Sequence, residues 1–337
     1  MSRTTRTLPA RMEDHQIAIY LAAIAAGALL GWALPGQGAG LAGAINPVLG
    51  ALLYVTFLQV PAAGLVRALR QGRFLAAVLV VNFAVVPLVV AVMLALLPAD
   101  QAIRIGVLLV LLTPCVDYVI VFSGLAGAAA DRLLATTPIL LLAQMLALPA
   151  LLWLFLGPGL AATVRPGPFI EAFVVLIVIP LALAWATQAW AARARPGHVL
   201  AAAAGSTMVP LMAATLLVVV ASQVPALTAD PADLADLAGV VPFYAAFLVV
   251  MAFAGLGVAR LFRLGTRDGR AIVFTGATRN SLVVLPLALA LPAHLALAAA
   301  VVVTQTLVEV IGMLIYMRAV PRLLPGPGRP TTTETGP

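Results

Sequence analysis

The reactive side chains of this chain sit where an apolar medium makes them costly. Its single cysteine lies in Thr113-Pro114-Cys115-Val116-Asp117, in the middle of the apolar stretch GVLLVLLTPCVDYVIVFSGLAG (106–127). Arg279, Asn280 and Ser281 interrupt a second stretch, AIVFTGATRNSLVVLPLALAL (271–291), and Glu309 stands in TQTLVEVIGML (304–314). A thiol is a soft nucleophile or ligand. A carboxylate at membrane depth is a natural proton-coupling group, and a guanidinium there must meet an acid or line water. Asp117 and Glu309 are the acids within reach of that argument. Each residue also has a purely structural reading: an inert buried thiol, an aspartate capping a local helix, an arginine and a glutamate in a salt bridge.

The elements around these residues decide between the readings. In hydrocarbon an unsatisfied polar group costs several kcal/mol, so polar breaks persist only where they line a protein-enclosed cavity. Pro114 removes a backbone donor and disfavours helix at Thr113, so the first stretch should unwind there. Cys115, Val116 and Asp117 then open a new half-helix whose free amides point at the bilayer midplane, where Asp117 could accept from them or face Arg279. A pair of broken helices in corresponding places of two halves is the best sequence-level pointer to a transporter's substrate site.

Composition places the whole chain in a membrane. Only 9% of the 337 residues are charged against 63% apolar, and the mean hydropathy is +1.12; a soluble protein carries about 25% charged residues. Ten stretches of about 20 apolar residues can span a bilayer, near 16–34, 44–66, 74–97, 102–127, 133–156, 169–190, 199–223, 240–262, 270–291 and 294–317. No cleavable leader is expected before them. All 19 basic residues are arginines, dispersed over short loops, so the net charge of +7 does not indicate a nucleic-acid partner. With ten spans and the N-terminus inside, arginines gather on the cytoplasmic side, leaving only Arg104 and Arg165 outside. That bias puts both termini in the cytoplasm of a bacterial inner membrane, with a multi-pass chain between them.

An internal repeat accompanies the spans. Gln59-Val60-Pro61 returns as Gln223-Val224-Pro225, while Thr113 aligns with Thr278 and Gln144 with Glu309 at a common offset of 165. Five spans per repeat is an odd number, so the second half must enter the membrane from the opposite side. The expected fold is therefore an all-α membrane protein of ten transmembrane helices in two inverted five-helix repeats, with discontinuous fourth and ninth helices that cross. The first repeat runs over 16–160 after a cytoplasmic segment 1–15, the second over 165–320, and 321–337 form a disordered cytoplasmic tail. Asn82 and Gln144, on spans flanking the first break, join Thr113 and Ser281 as further cavity candidates. Other polar residues in spans, Gln305 among them, read as interhelical hydrogen-bond glue.

One cysteine excludes an intramolecular disulfide and a cysteine-cluster metal site, and no cofactor is expected. There is no phosphate-cradling Gly-Lys-Ser/Thr loop for a built-in ATP motor, no ATPase subunit is required, and no zinc-protease or serine-hydrolase motif appears. Uphill movement would draw on an ion gradient.

At these residues the chain resembles the bile acid/sodium symporter superfamily over about residues 14–320, and within it the ACR-type arsenite efflux permeases. In those permeases a Cys after a Pro in the fourth span and a Glu in the last span region are functional, and Thr113-Pro114-Cys115 and Leu307-Val308-Glu309 match them. Arg279-Asn280-Ser281 is similar to that branch's Arg-Asn-Ser. The sodium-coupled branch has Gln-Asn-Ser preceded by a sodium-ligating Glu, where this chain has Arg279 and Thr275; a fixed guanidinium in place of a hard cation argues against a sodium site. Asp117 and Tyr118 after the cysteine, and Val-Glu-Val-Ile-Gly around Glu309, depart from the arsenite pattern.

The resemblance implies a secondary transporter, not an enzyme, that exports arsenite or antimonite in exchange for protons. Cys115 would be the metalloid ligand, with Asp117, Arg279 and Asn280 around the substrate and Glu309 coupling to protons. Arsenous acid is neutral and thiophilic, and one thiolate captures it reversibly where three would hold it too tightly. Competing expectations are a sodium- or proton-coupled importer of a bile-acid-like or other organic anion, and a membrane sensor that binds without translocating.

Overall fold

The computed structural model of the chain describes residues 12, 15–34, 36, 38–59, 69–116, 118–161, 171, 174–229 and 231–326. Asp117, the segments expected to be the N-terminal arm and the far end of the tail, and part of the join between the two expected repeats lie outside the described residues.

Helices account for nearly all of it, as an apolar medium requires: a helix satisfies its own backbone where water cannot. In chain order they are α1 (Gln16–Ala33), α2 (Gly38–Leu58), α3 (Gly72–Val80) and α4 (Val86–Leu96), the last two joined by a π-helical turn at Val81–Val85. Next come α5 (Gln101–Leu111), α6 (Tyr118–Leu125) and α7 (Ala130–Ala161). A second π-helical turn, Val174–Val178, leads into α8 (Ile179–Ala191), followed by α9 (Arg195–Gly205), α10 (Met208–Ala229) and α11 (Pro231–Leu261). Finally α12 (Thr266–Ala277), α13 (Ser281–Leu289) and α14 (Leu297–Leu323) close the chain. Among the described residues Gly72–Leu96, Ala232–Leu261 and Leu297–Leu323 are each long and apolar enough to cross a bilayer, and bent pairs such as Arg195–Gly205 with Met208–Ser222 raise the number to as many as five.

The helices pack in two groups. In one, α10 lies against α1 and α2, and α8 against α2 and α9. In the other, α14 lies against α5, α11 and α13, while α11 packs on α12. The second group holds both breaks: α5 stops at Leu111 before α6 starts at Tyr118, and α12 stops at Ala277 before α13 starts at Ser281. Pro114 and the residues Thr278 to Asn280 supply the interruptions.

Lipid tails are as apolar as leucine, so helices in a membrane associate through close packing rather than hydrophobic sorting. Glycines permit that closeness here. A Cβ on Gly27 or on Gly31 would lie 2.6 Å from the carbonyl oxygen of Leu217 or Ala221, so one face of α1 rests directly on the backbone of α10. Gly255 does the same for α11, where a Cβ would come 2.8 Å from Val273 Cα on α12. The four-residue spacing of Gly27 and Gly31 puts both on one helical face, the arrangement that lets two helices touch along a seam.

Filling that seam has a calculable penalty. Gly31→Val should force α1 off α10 and destabilise the protein by ~1–3 kcal/mol, the usual cost of overpacking. Gly40→Ala, where a Cβ meets nothing within 4 Å, is the control. Unfolding midpoints in detergent should fall for the first variant and stay level for the second.

Candidate functional site

The two breaks meet backbone to backbone. Pro114 and Arg279 face each other as an isolated antiparallel β-bridge between α5–α6 and α12–α13. The Cys115 amide donates to the Thr278 carbonyl at 3.2 Å, and the Asn280 amide donates to the Thr113 carbonyl at 2.8 Å. Thr113 and Thr278, and Cys115 and Asn280, are each separated by the same 165 residues, so the two bonds are equivalent under the sequence offset.

That exchange has a cost elsewhere in the helices. In an uninterrupted helix the amides of Cys115, Arg279 and Asn280 would close on the carbonyls of Leu111, Thr275 and Gly276, four residues earlier. Here the Cys115 and Asn280 amides go to the opposite strand and the Arg279 amide donates to Glu309 Oε2 at 2.9 Å. The three carbonyls are left at helix C-termini, where partial negative charge accumulates. The Arg279 guanidinium takes all three: Nη1 donates to Leu111 O at 3.1 Å, and Nη2 to Thr275 O at 2.7 Å and Gly276 O at 2.8 Å. Asn82 Oδ1 is a fourth acceptor, 2.8 Å from Nη2.

Asn82 is held for this by its place in the π-helical turn, where its Nδ2 donates to Val78 O at 2.9 Å and to Thr275 Oγ1 at 3.3 Å. Irregular turns of this kind recur at functional sites because they redirect one side chain out of the helical register. The guanidinium carbon also sits 5.7 Å from the centre of the Phe247 ring on α11, a cation–π contact.

Glu309, on α14, approaches from the other side. Its Oε1 accepts from Tyr118 Oη at 2.6 Å, and its Oε2 accepts from Gln305 Nε2 as well as from the Arg279 amide. Tyr118 Oη lies 3.0 Å from the Arg279 carbonyl too. Among the described residues the two terminal nitrogens of the guanidinium therefore donate to neutral oxygens, while the carboxylate is met by Arg279 through its backbone. Of the two acids the sequence offers, Glu309 does not meet the guanidinium through its side chain, and Asp117 lies outside the described residues.

The sequence-nominated residues divide accordingly. Thr113, Cys115, Arg279, Asn280, Ser281, Asn82 and Glu309 come together, all at most 1% exposed. Ser281 Oγ lies 2.7 Å from Thr306 Oγ1, tying α13 to α14. Gln144 is buried on α7 with no hydrogen-bond partner for its Oε1, and no hydrogen bond among the described residues joins it to the crossing. Asp117 falls outside the described residues. Tyr118, Gln305, Thr306 and Phe247 were not nominated. Gln305 carries a readable signal, since residues four apart share a helix face and Gln305 stands four before Glu309. Tyr118, Thr306 and Phe247 carry none, because their partners are far away in sequence.

Three polar atoms of these residues have no hydrogen-bond partner among the described residues: Arg279 Nε, Asn280 Nδ2 and Gln305 Oε1. Two are donors and one an acceptor, beside a thiol that is 1% exposed. Buried polar atoms in proteins are ordinarily bonded. Arg279 Nε, Asn280 Nδ2 and Gln305 Oε1 are the exceptions at this crossing.

An all-helical, strongly apolar chain with polar residues buried at a crossing of broken helices is a membrane protein. Residues 46–230 match the profile of the sodium bile acid symporter family, more than half of the chain, and the chain belongs to that family. Its members are membrane transporters, not enzymes. The matched residues include Thr113-Pro114-Cys115 and stop before Arg279 and Glu309. No curated protein matches the chain.

The cage around Arg279 makes Asn82 a sensitive position. Asn82→Leu removes one acceptor from a buried guanidinium and should cost ~1–3 kcal/mol, as orphaned buried groups do, whereas Asn82→Asp keeps an oxygen in place. Chemical or thermal unfolding of the purified variants should rank leucine well below aspartate and wild type.

Proposed function

We propose that this chain is a secondary transporter that exports a trivalent metalloid hydroxide, arsenite or antimonite, in exchange for protons, with Cys115 as the reversible ligand and Glu309 as the proton carrier. The observation that carries the reading is the crossing itself: the backbone amide of the molecule's one cysteine is fixed at the break, in a crossing that also holds a carboxylate and three polar atoms without hydrogen-bond partners among the described residues. A neutral trihydroxide offers both donors and acceptors to Arg279 Nε, Asn280 Nδ2 and Gln305 Oε1, and its metalloid centre is soft enough to exchange a hydroxyl for a thiolate. In that exchange a sulfur–metalloid bond forms, a metalloid–oxygen bond breaks, and the thiol proton leaves with the hydroxyl as water. Release is the reverse step.

The architecture supports the transport reading. Taking α3–α4, α5–α6, the π-turn with α8, α9–α10 and α12–α13 as single interrupted spans, together with α1, α2, α7, α11 and α14, gives ten. The reciprocal bonds at the 165-residue offset fit inverted repeats. A cavity of about 550 Å³ is lined by Gln16, Gln59, Ser206 and Met208 beside α1, α2, α9 and α10, with Val121 of α6 reaching it from the group that holds the breaks. Val121 on α6 is six residues on from Cys115, and Gln16 and Gln59 stand at the helix ends that the arginine distribution assigns to the cytoplasm. An entry on that side suits an exporter.

Flux of arsenite into inverted membrane vesicles tests the reading. An acidic lumen should accelerate uptake into wild-type vesicles. Cys115→Ser should lower it by roughly 100-fold or more, because a hydroxyl is a poor ligand for a soft centre, with insertion and folding unchanged. Glu309→Gln should abolish the response to the pH gradient. Undiminished export by Cys115→Ser sinks the metalloid site, and sodium-driven uptake of an organic anion establishes the importer in its place.

A further inference from the structure

Arginines that the sequence scatters over short loops are gathered by the fold into one cleft. Arg70, Arg73, Arg132 and Arg263, from three separate stretches of chain, line a cavity of about 510 Å³ together with Gln71 and a single acid, Asp268. Two of the four are already engaged. Arg73 Nη2 donates to Phe262 O at 2.5 Å and to Arg263 O at 2.9 Å, and Arg132 Nη1 meets Asp268 Oδ2 at 2.7 Å. Arg70 and Arg263 are exposed, and no side-chain hydrogen bond or ion pair holds either among the described residues. Helices α3 and α12 begin at the same wall, at Gly72 and just after Gly265, and no side chain caps either start. Their first-turn amides and partial positive charge add to the attraction for an anion.

Arg263 holds its place in the cleft at a conformational cost. Its φ of 50° is left-handed, the only such value at a non-glycine among the described residues. It closes α11 in a Schellman cap, with Leu264 N donating to Ala259 O and Arg263 N to Arg260 O, each at 2.9 Å. Glycine is the usual residue there, so the turn does not account for an arginine. Gln71 contributes a buried Oε1 with no hydrogen-bond partner among the described residues, an acceptor suited to a hydroxyl. The cleft also lies at bilayer depth. Gly72–Leu96 and Ala232–Leu261, two of the helices long enough to cross, end beside it, and the exposed Leu69 and Leu261 adjoin Arg70 and Arg263 in the chain. Basic pockets at span ends, next to apolar surface, suit a lipid headgroup with its tails alongside. We propose that this cleft binds the headgroup of an anionic phospholipid that carries free hydroxyls, a phosphatidylglycerol. Arg70 and Arg263 take the phosphodiester and Gln71 Oε1 a glycerol hydroxyl, on the face that the arginine distribution assigns to the cytoplasm.

Thermal unfolding of the purified protein in uncharged detergent tests this, with dioctanoyl phosphatidylglycerol, dioctanoyl phosphatidylcholine or glycerol phosphate added. Phosphatidylglycerol should raise the wild-type midpoint saturably, by roughly 2 °C or more at tenfold excess over Kd. Phosphatidylcholine, with the same tails and no net charge, and glycerol phosphate, the headgroup without tails, should not. Arg70→Ala with Arg263→Gly should raise the Kd by roughly tenfold or more, as loss of charged hydrogen bonds does. Glycine fits the left-handed position and Arg70 has no partner to lose, so the lipid-free midpoint should stay level or rise. Arg70→Gln alone should show roughly a threefold part of that loss. Arg193→Ala with Arg195→Ala removes equal charge from exposed positions outside the cleft, and should leave the Kd within about twofold. A wild type indifferent to phosphatidylglycerol overturns the proposal, as does an equal response to phosphatidylcholine. An equal response to glycerol phosphate assigns the cleft to a soluble phosphate compound instead. Unchanged affinity in the Arg70/Arg263 variant, or an equal loss in the Arg193/Arg195 control, reduces the effect to general surface charge and also overturns it.

Discussion

Everything at the centre of this protein follows from two helices that are interrupted where there is no water. A helix crossing a bilayer is tolerated because its amides and carbonyls satisfy one another. Each interruption frees amides on one side and carbonyls on the other, with no solvent to take them. The chain resolves this by crossing the two breaks, so that each supplies one amide and one carbonyl to the other: Cys115 to Thr278, Asn280 to Thr113. Neither break is stable without its counterpart, which is a physical reason for the two to occur together.

The exchange leaves a residue of charge that is opposite on its two sides. Helix C-termini at Leu111 and Ala277 gather carbonyl oxygens and partial negative charge; the amide of Arg279, ahead of α13, is a donor at a helix start. One residue serves both needs, since the side chain of Arg279 covers the carbonyls while its backbone amide engages Glu309. The guanidinium therefore hydrogen-bonds the helix ends rather than the Glu309 carboxylate. A mutual salt bridge would have left the three carbonyls bare. Burying a charge is less costly where the oxygens around it are themselves short of donors, as these carbonyls are.

Much of this could be read in the sequence, and the part that could not has a common cause. The breaks were legible because proline before a cysteine, and Thr-Arg-Asn-Ser in an apolar run, violate what hydrocarbon permits. Thr113 and Thr278 gave the offset that pairs the breaks. Asn82 was nominated only for flanking the first break, and its true office, accepting from Arg279 out of a π-helical turn, depends on a register irregularity that composition does not encode. Acids are the partners a sequence offers Arg279, because side-chain charges are visible in it. Free carbonyls are not, as every residue has one, and which are free is decided only by where the amides four residues later have gone. Tyr118, lying 191 residues from Glu309 in the chain, was inaccessible for the same reason: its contact exists only once the crossing has formed.

The burial of the crossing constrains how it can work. Cys115, Arg279, Asn280 and Glu309 are all closed off from solvent, so a guest reaches them only if packed helices separate. The crossing is a poor place for that separation, because parting the breaks would strand Cys115, Asn280 and the cage carbonyls at once. The glycine seam between α1 and α10 is equally unsuited, since it is a backbone-to-backbone contact within one group. What remains is the boundary between the groups, toward which Val121 of α6 brings the cavity flanked by Gln59 and Met208. In the proposed transport cycle, helix groups that part along their boundary expose the site while leaving its hydrogen bonds intact, so a break in the backbone is compatible with repeated motion.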